Sequence, residues 1–164
     1  MNVAKSLNDI SLYMMAFAFL LSAGLSFVYA RKKDALPKTL KMLMAANWFF
    51  FGLSYLILVS RLYIPFEKAD LHILLYRILL IADVIALGSI FLYIALKYET
   101  KLPKFSGLMK TFGFLQALVL ILLVIFDPGF SIHQTDLYVE IVPSFSCQIG
   151  ISLSMVLLTI VLVI

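Results

Sequence analysis

Asp83 is the residue whose type and position in this chain most strongly indicate chemistry. It lies in the middle of an apolar run, residues 73–98, that is long enough to cross a membrane. A carboxyl group at that depth is costly unless it is paired, protonated or turned toward a cavity. Intramembrane carboxyl groups are therefore candidate functional sites.

Other polar residues are expected near Asp83. At about 100° per residue, His72 and Tyr76 fall within about 40° of Asp83 on one helix face, which predicts a polar line from the outer surface to the membrane centre. Arg77 points roughly 120° away from Asp83 and is expected to snorkel outward instead of pairing with it. Gln116, on the next apolar run, is expected at a similar depth and is the predicted neighbour of Asp83.

A second polar stripe lies on the preceding apolar run. Asn47, Ser54 and Arg61 are spaced seven residues apart, which is nearly two helical turns, so they share one face. Because an unpaired amide in hydrocarbon is costly, this face is expected to contact protein through interhelical hydrogen bonds. Asn47 completes the set of residues that would line an ion or ligand path.

Three hypotheses explain Asp83. In the first, it is a structural hydrogen-bonding group, in its neutral form, that ties the third and fourth helices together. In the second, it is a proton or cation site that is reached through His72 and Tyr76. In the third, it is a ligand-binding carboxylate in a sensor pocket. The sequence favours the structural hypothesis.

The composition is typical of a multi-pass membrane protein. Of the 164 residues, 63% are hydrophobic and 13% are charged, about half the charged fraction of a soluble domain. The net charge of +4 comes from basic residues between the apolar runs, so nucleic acid is not an expected partner. One cysteine and two histidines predict neither a disulfide nor a zinc motif nor a His-rich metal site.

The sequence predicts an all-α membrane protein in which one transmembrane domain, residues 1–164, forms a five-helix bundle. Charged residues and turn signals separate the apolar runs, including Arg31–Asp34, Pro65 and Asp127–Gly129. The predicted helices cover residues 10–30, 41–64, 71–97, 107–126 and 141–164.

The distribution of Lys and Arg predicts the orientation, because these residues concentrate in cytoplasmic loops. The loops after helices one and three hold nine of them, and the opposite side holds three. The N-terminus is therefore expected outside and the C-terminus in the cytoplasm, in a prokaryotic inner membrane. The apolar end at Ile164 lacks a polar anchor and predicts a cytoplasmic domain beyond it, with a natural apolar terminus as the alternative.

Small residues recur at every fourth position on two predicted helices, a spacing that lets another helix approach closely. Helix one has Ala18, Ser22, Ser26 and Ala30, and helix five has Ser146, Gly150 and Ser154. Packing inside the bundle is the expected role of these faces. The alternatives are an interface between copies of the chain and a docking surface for a larger membrane complex.

Catalytic motifs are missing from the sequence. It contains no phosphate-binding glycine loop, nucleophile elbow or zinc-protease motif, and no lysine is placed mid-membrane to hold a Schiff base. His133, Asp136 and Glu140 lie in one outer segment, where solvated side chains are a better explanation than a metal site. The chain is therefore not expected to be an enzyme or to need a cofactor.

Two segments resemble the multi-pass membrane sensor regions of prokaryotic histidine kinases and related signalling proteins. Residues 47–55 contain the aromatic run Trp48-Phe49-Phe50-Phe51, and residues 91–101 lead from apolar and aromatic residues to Lys97 and Lys101. The resemblance carries no catalytic or ligand-binding residue across. It implies a cytoplasmic output domain after the membrane region, which suits the predicted orientation.

The sequence thus favours a non-enzymatic sensing or interaction domain that passes a rearrangement of the bundle to a cytoplasmic partner or output domain. One alternative is a subunit of a proton or cation channel or transporter that uses Asp83 and forms an oligomer. Another is a structural subunit of a larger membrane complex. In each case the lipid bilayer surrounds the chain.

Overall fold

Four long helices and a β-hairpin form the described part of the protein. The computed structural model describes residues 3–31, 36–61, 63–126, 130–134, 139–145, 148–153 and 156. The elements are α1 (Val3–Ala30), α2 (Lys38–Arg61), α3 (Ala69–Lys97), α4 (Pro103–Phe126), β1 (Ser131–Gln134) and β2 (Val139–Val142). By length and composition, each of the four helices can cross a membrane.

Prolines set several helix ends close to the predicted ones. α4 begins at Pro103 and not at residue 107, because the fixed φ of proline suits the first position of a helix. Pro37 precedes α2, and its carbonyl accepts two amides of the first turn at 3.1 and 3.3 Å. α2 ends at Arg61, ahead of Pro65, which cannot continue the hydrogen-bond ladder. α2 and α4 therefore each begin before the predicted start, in the basic segment that precedes the apolar run.

The start predicted for the fifth span, residue 141, lies in a β-strand. β1 and β2 pair antiparallel, with Ile132 opposite Ile141. Three of the four residues of β2 are β-branched and favour a strand, and Pro143 has no amide to extend it. Helix resumes beyond this proline, since residues 148–153 are helical.

The hairpin also corrects the expectation of a loop over residues 131–140. His133 of β1 is exposed, and its backbone pairs with that of Glu140 in β2. Asp136 lies outside the described residues. The segment between α4 and the resumed helix is therefore partly a sheet that packs on the bundle, since β2 contacts α3.

The helices pack in the order of the sequence. α1 packs on α2, α2 on α3 and α3 on α4. α3 is the most enclosed helix: in its most apolar stretch 56% of the residues are buried, against 11% for α1. One cluster of buried residues joins α3 to the first half of α4 through Phe91 and Met109, and a second joins it to the end of α4 through Leu80 and Val124.

α2 carries two stripes with the same seven-residue repeat. One stripe is small or apolar and buried: Ala45, Gly52 and Val59. The other is the predicted polar stripe, which is also buried: Asn47, Ser54 and Arg61. Two residues turn an α-helix by about 200°, so the two stripes lie on nearly opposite faces. α2 is therefore held between α1 on one side and α3 on the other.

α1 contacts α2 through a set of alanines that differs from the predicted small face. The buried residues are Ala16, Ala23 and Ala30. Of the predicted face only Ala30 belongs to this set; Ser22 and Ser26 are half-buried and Ala18 is exposed. A repeat of seven keeps one seam in contact over a long helix pair, whereas a repeat of four drifts away from it.

Of the three small residues predicted to line one face of helix five, the structure describes Gly150. A Cβ on Gly150 would lie 2.8 Å from Leu120 Cδ2 of α4, so the backbone at Gly150 packs closely against α4. Ser146 and Ser154 lie outside the described residues. At Gly150 the close approach is therefore made within one copy of the chain.

Gly52 and Gly24 offer a matched test of the α1–α2 contact. A Cβ on Gly52 would lie 3.0 Å from Phe19 Cβ and 3.1 Å from Leu20 N, whereas a Cβ on Gly24 would meet nothing within 4 Å. We expect Gly52→Ala to lower the free energy of unfolding by about 1 kcal/mol through overpacking. Gly24→Ala should raise it by about 0.5 kcal/mol, because alanine favours helix. Denaturant titration in micelles measures both, and equal changes would contradict the close contact.

Candidate functional site

Three contacts between the polar stripe of α2 and α3 form what we call the polar seam. Asn47 Nδ2 donates a hydrogen bond to the Ala86 carbonyl at 2.8 Å. The Ser54 hydroxyl donates to the Phe51 carbonyl of its own helix at 2.8 Å and lies close to the Asp83 carboxyl of α3. The Arg61 guanidinium lies 5.0 Å from the centre of the Tyr76 ring. As the residue number rises along α2 it falls along α3, so the seam joins two antiparallel helices, from Asn47 to Arg61 on α2 and from Ala86 to Tyr76 on α3.

Asp83 belongs to this seam and not to a contact with α4. The polar side chain beside it is Ser54 of α2, and no hydrogen bond joins Asp83 to the predicted Gln116 in the described part of the protein. The Gln116 side chain is on α4 with its Oε1 buried and without a hydrogen-bond partner in the described part of the protein. Depth in the membrane was a poor guide here, because the partner of Asp83 depends on how each helix is rotated.

A small cavity of about 70 Å³ lies beside Asp83. Its other lining residues are all apolar: Phe51, Leu80, Val84, Leu87, Leu120 and Ile151. A buried water needs two to four polar partners, and this lining offers one carboxyl group. The cavity is therefore a poor place for a chain of ordered waters.

Two arginines and two aromatic rings form one end of the site, where α2 and α4 end. Tyr76 packs edge-on against Phe130, with ring centres 5.9 Å apart, in addition to its contact with Arg61. Arg77 Nη1 donates to the Ile125 carbonyl at 3.2 Å, and its guanidinium lies 5.2 Å from the Phe130 ring. Arg77 therefore caps the last turn of α4, where a cation is favoured.

His72 has a partner of its own. It is fully buried, and its Nε2 lies 3.3 Å from the Pro65 carbonyl in the connection between α2 and α3. Tyr76 contacts Arg61 and Phe130, and Asp83 contacts Ser54. The predicted line of His72, Tyr76 and Asp83 is thus a series of separate contacts with neighbouring elements, each of which fixes α3 in place.

A larger groove of about 480 Å³ opens at the other end of the seam, between α2, α3 and the start of α4. Its polar and aromatic lining residues are Asn47, Trp48, Ser89, Tyr93, Lys97 and Tyr98. This volume lies within the range of about 300–1,000 Å³ that is usual for ligand pockets. We call it the α2–α3 groove.

The lysine at the mouth of the α2–α3 groove is held by aromatic rings. Lys97 Nζ lies 5.9 Å from the centre of the Tyr93 ring and 5.8 Å from that of Tyr98. Within the described residues, the Lys97 ammonium has no carboxylate partner. Glu99 is nearby in sequence, but it pairs with Lys110 at 2.5 Å. The mouth of the groove is therefore cationic.

The sequence interpretation missed the α2–α3 groove. It used Trp48 only in the resemblance to membrane sensor regions, counted Lys97 among the basic loop residues, and assigned no site to Tyr93 or Tyr98. Tyr93 and Lys97 are four residues apart and so lie on one helix face, which was the available signal. No family model, curated protein or solved structure matches the chain.

Proposed function

We propose that this chain is a non-enzymatic, multi-pass membrane sensing domain. A ligand occupies the α2–α3 groove and changes how α2 packs on α3. The groove opens where α3 ends and α4 begins, which the predicted orientation places at the cytoplasmic face, so the change reaches a partner or output domain on that side. The domain would lie in a prokaryotic inner membrane with its N-terminus outside.

One residue carries this proposal. Asn47 lines the α2–α3 groove and also donates the hydrogen bond to Ala86 that begins the polar seam. Any occupant of the groove that reaches this depth therefore contacts the group that ties α2 to α3. A ligand shifts a conformational equilibrium only by its different affinity for the two states, and contact with the tie between the helices supplies such a difference.

The hydrogen bonds of the polar seam are weak enough to allow a switch between two arrangements of α2 on α3. Interhelical hydrogen bonds in membranes contribute modestly, about 0.6 kcal/mol on average, so a ligand of ordinary affinity can offset one of them. Phe91 and Met109 belong to the cluster that packs α3 against α4, so α3 also has firm apolar contacts on another side. A ligand in the groove can therefore break the tie between Asn47 and Ala86 while α3 stays packed on α4.

The orientation is tested with reporters joined after Ile164. We expect a fluorescent protein at this position to be active and an alkaline phosphatase to be inactive, because the first folds in the cytoplasm and the second outside. The same two reporters inserted between Glu67 and Lys68, in the connection between α2 and α3, should give the opposite result. An active phosphatase after Ile164 would place this position outside the cell and would contradict signalling from the groove to a cytoplasmic partner.

A proton or cation path through Asp83 is the second candidate function, and the cavity beside the carboxyl is the observation that favours it. Its apolar lining and the Ser54 contact favour a structural role instead. We therefore expect proton and sodium flux into liposomes to be the same for the native chain and for Asp83→Asn, and no greater than in empty liposomes. Flux in the native protein that Asp83→Asn abolishes would establish the path.

A further inference from the structure

We propose that the α2–α3 groove binds one anionic phospholipid from the surrounding bilayer, with its phosphate at Lys97 and an acyl chain along α3. The domain would then report the anionic lipid content of its own leaflet. The physiological role in this proposal depends on the proposed sensing function, but the binding itself does not.

The dimensions of the groove match one leaflet. Its lining along α3 runs from Lys97, at the end of the helix, to Ser89. Eight residues at a rise of about 1.5 Å make this path about 12 Å long. One leaflet contributes roughly 15 Å, half of the hydrocarbon core of about 30 Å. An occupant with its polar group at Lys97 thus reaches nearly to the centre of the bilayer.

The walls of the groove suit a hydrocarbon chain. Six of its lining residues are apolar: Leu43, Met44, Ile90, Ile94, Leu102 and Phe105. The two small polar residues that reach the interior each already donate one hydrogen bond to a backbone carbonyl: Asn47 to Ala86 at 2.8 Å and Ser89 to Ile85 at 2.9 Å. A polar ligand would find few groups to bind at this depth, whereas an acyl chain needs none.

The mouth of the groove suits a phosphate. Lys97 brings a positive charge whose contacts are with the rings of Tyr93 and Tyr98, so it can meet an anion without breaking an ion pair. The nearest acidic residue in sequence, Glu99, pairs with Lys110. Lysine and tyrosine at a helix end are also the residues that favour the headgroup level of a bilayer. Charge and depth therefore select an anionic lipid over a neutral one.

Trp48 allows the binding to be measured directly, because it lines the groove and is the single tryptophan of the chain. The full chain is placed in vesicles that mix phosphatidylglycerol with phosphatidylcholine, and bromine on the acyl chains of one lipid or the other quenches the tryptophan. We expect phosphatidylglycerol to occupy the site about fivefold more readily at equal mole fraction, since one lysine near an anionic headgroup contributes about 1 kcal/mol.

Two lysine variants assign that preference to the groove. Lys97→Gln should reduce it to nearly onefold, and Lys97→Arg should retain it. Lys104→Gln, which removes an exposed charge at the start of α4 outside the lining, should leave it near fivefold. Equal quenching by both lipids in the native protein would overturn the proposal. Equal losses in Lys97→Gln and Lys104→Gln would also overturn it, because the preference would then come from general surface charge.

Discussion

Gly113→Val is expected to lower the free energy of unfolding by about 3 kcal/mol, the upper end of the usual cost of overpacking. A Cβ on Gly113 of α4 would lie 2.9 Å from Phe91 Cβ and 3.5 Å from Phe91 Cγ. Phe91 cannot give way, because only 1% of its surface is exposed and its ring packs on Phe112 with centres 5.8 Å apart. The added side chain must therefore push α3 and α4 apart. Denaturant titration in micelles, followed by the helical circular dichroism signal, measures the loss.

Gly107→Val is the matched control for this prediction. Gly107 lies on the same helix, and a Cβ there would meet nothing within 4 Å. The change in helix propensity is common to both substitutions, so the difference between them isolates the contact with Phe91. If Gly113→Val and Gly107→Val had the same stability, α4 would not approach α3 as closely as the structure shows.

Arg61→Met is expected to cost about 2 kcal/mol, the value of a desolvated contact between a cation and an aromatic ring. Arg61 is 4% exposed in the last turn of α2, and its guanidinium lies 5.0 Å from the Tyr76 ring. Methionine keeps much of the apolar length of the arginine side chain, so the loss of stability measures the contribution of the guanidinium group. The measurement is again the free energy of unfolding in micelles.

A double-mutant cycle assigns this loss to Tyr76. Tyr76→Phe retains the ring and should leave the effect of Arg61→Met unchanged, whereas Tyr76→Leu should reduce it by about 1 kcal/mol or more. Additive effects of Arg61→Met and Tyr76→Leu, within about 0.3–0.5 kcal/mol, would show that Tyr76 does not hold Arg61. Tyr76 would then again be available for the hypothesis of a proton path to Asp83.

The helices were the most predictable part of the fold. In hydrocarbon each backbone amide must be bonded within its own segment, so a long apolar run has to be helical. The four runs predicted from residue 10 to residue 126 accordingly correspond to α1–α4. The hairpin was not predicted, because Ile141 and Val142 were assigned to the start of the following apolar run, and strand preference in so short a segment is a weak signal.

The site was predictable in part. The spacing of Asn47, Ser54 and Arg61 correctly placed these residues on one buried face, because a stripe depends only on the helical repeat. It could not identify their partners, since these depend on the rotation of α3 about its axis, which apolar contacts such as that of Phe91 with Gly113 determine. The α2–α3 groove could not be predicted from the sequence for the same reason, because its lining comes from three helices and follows no single repeat.

The central claim is that an occupant of the α2–α3 groove moves α2 against α3, and a distance measurement tests it most directly. Spin labels are placed at Met42 on α2 and Leu92 on α3, each 39% exposed and outside the groove, after Cys147 is replaced by serine. Their separation is compared in vesicles of phosphatidylcholine with and without phosphatidylglycerol.

We expect phosphatidylglycerol to shift the distance between the labels by about 1–2 Å, the size of helix movements at packed interfaces. Asn47→Leu, which removes the hydrogen bond to Ala86 but keeps the side-chain volume, should abolish the shift. Identical distances in both kinds of vesicle, while Trp48 still shows the anionic lipid in the groove, would contradict the sensing function and leave only a lipid-binding site.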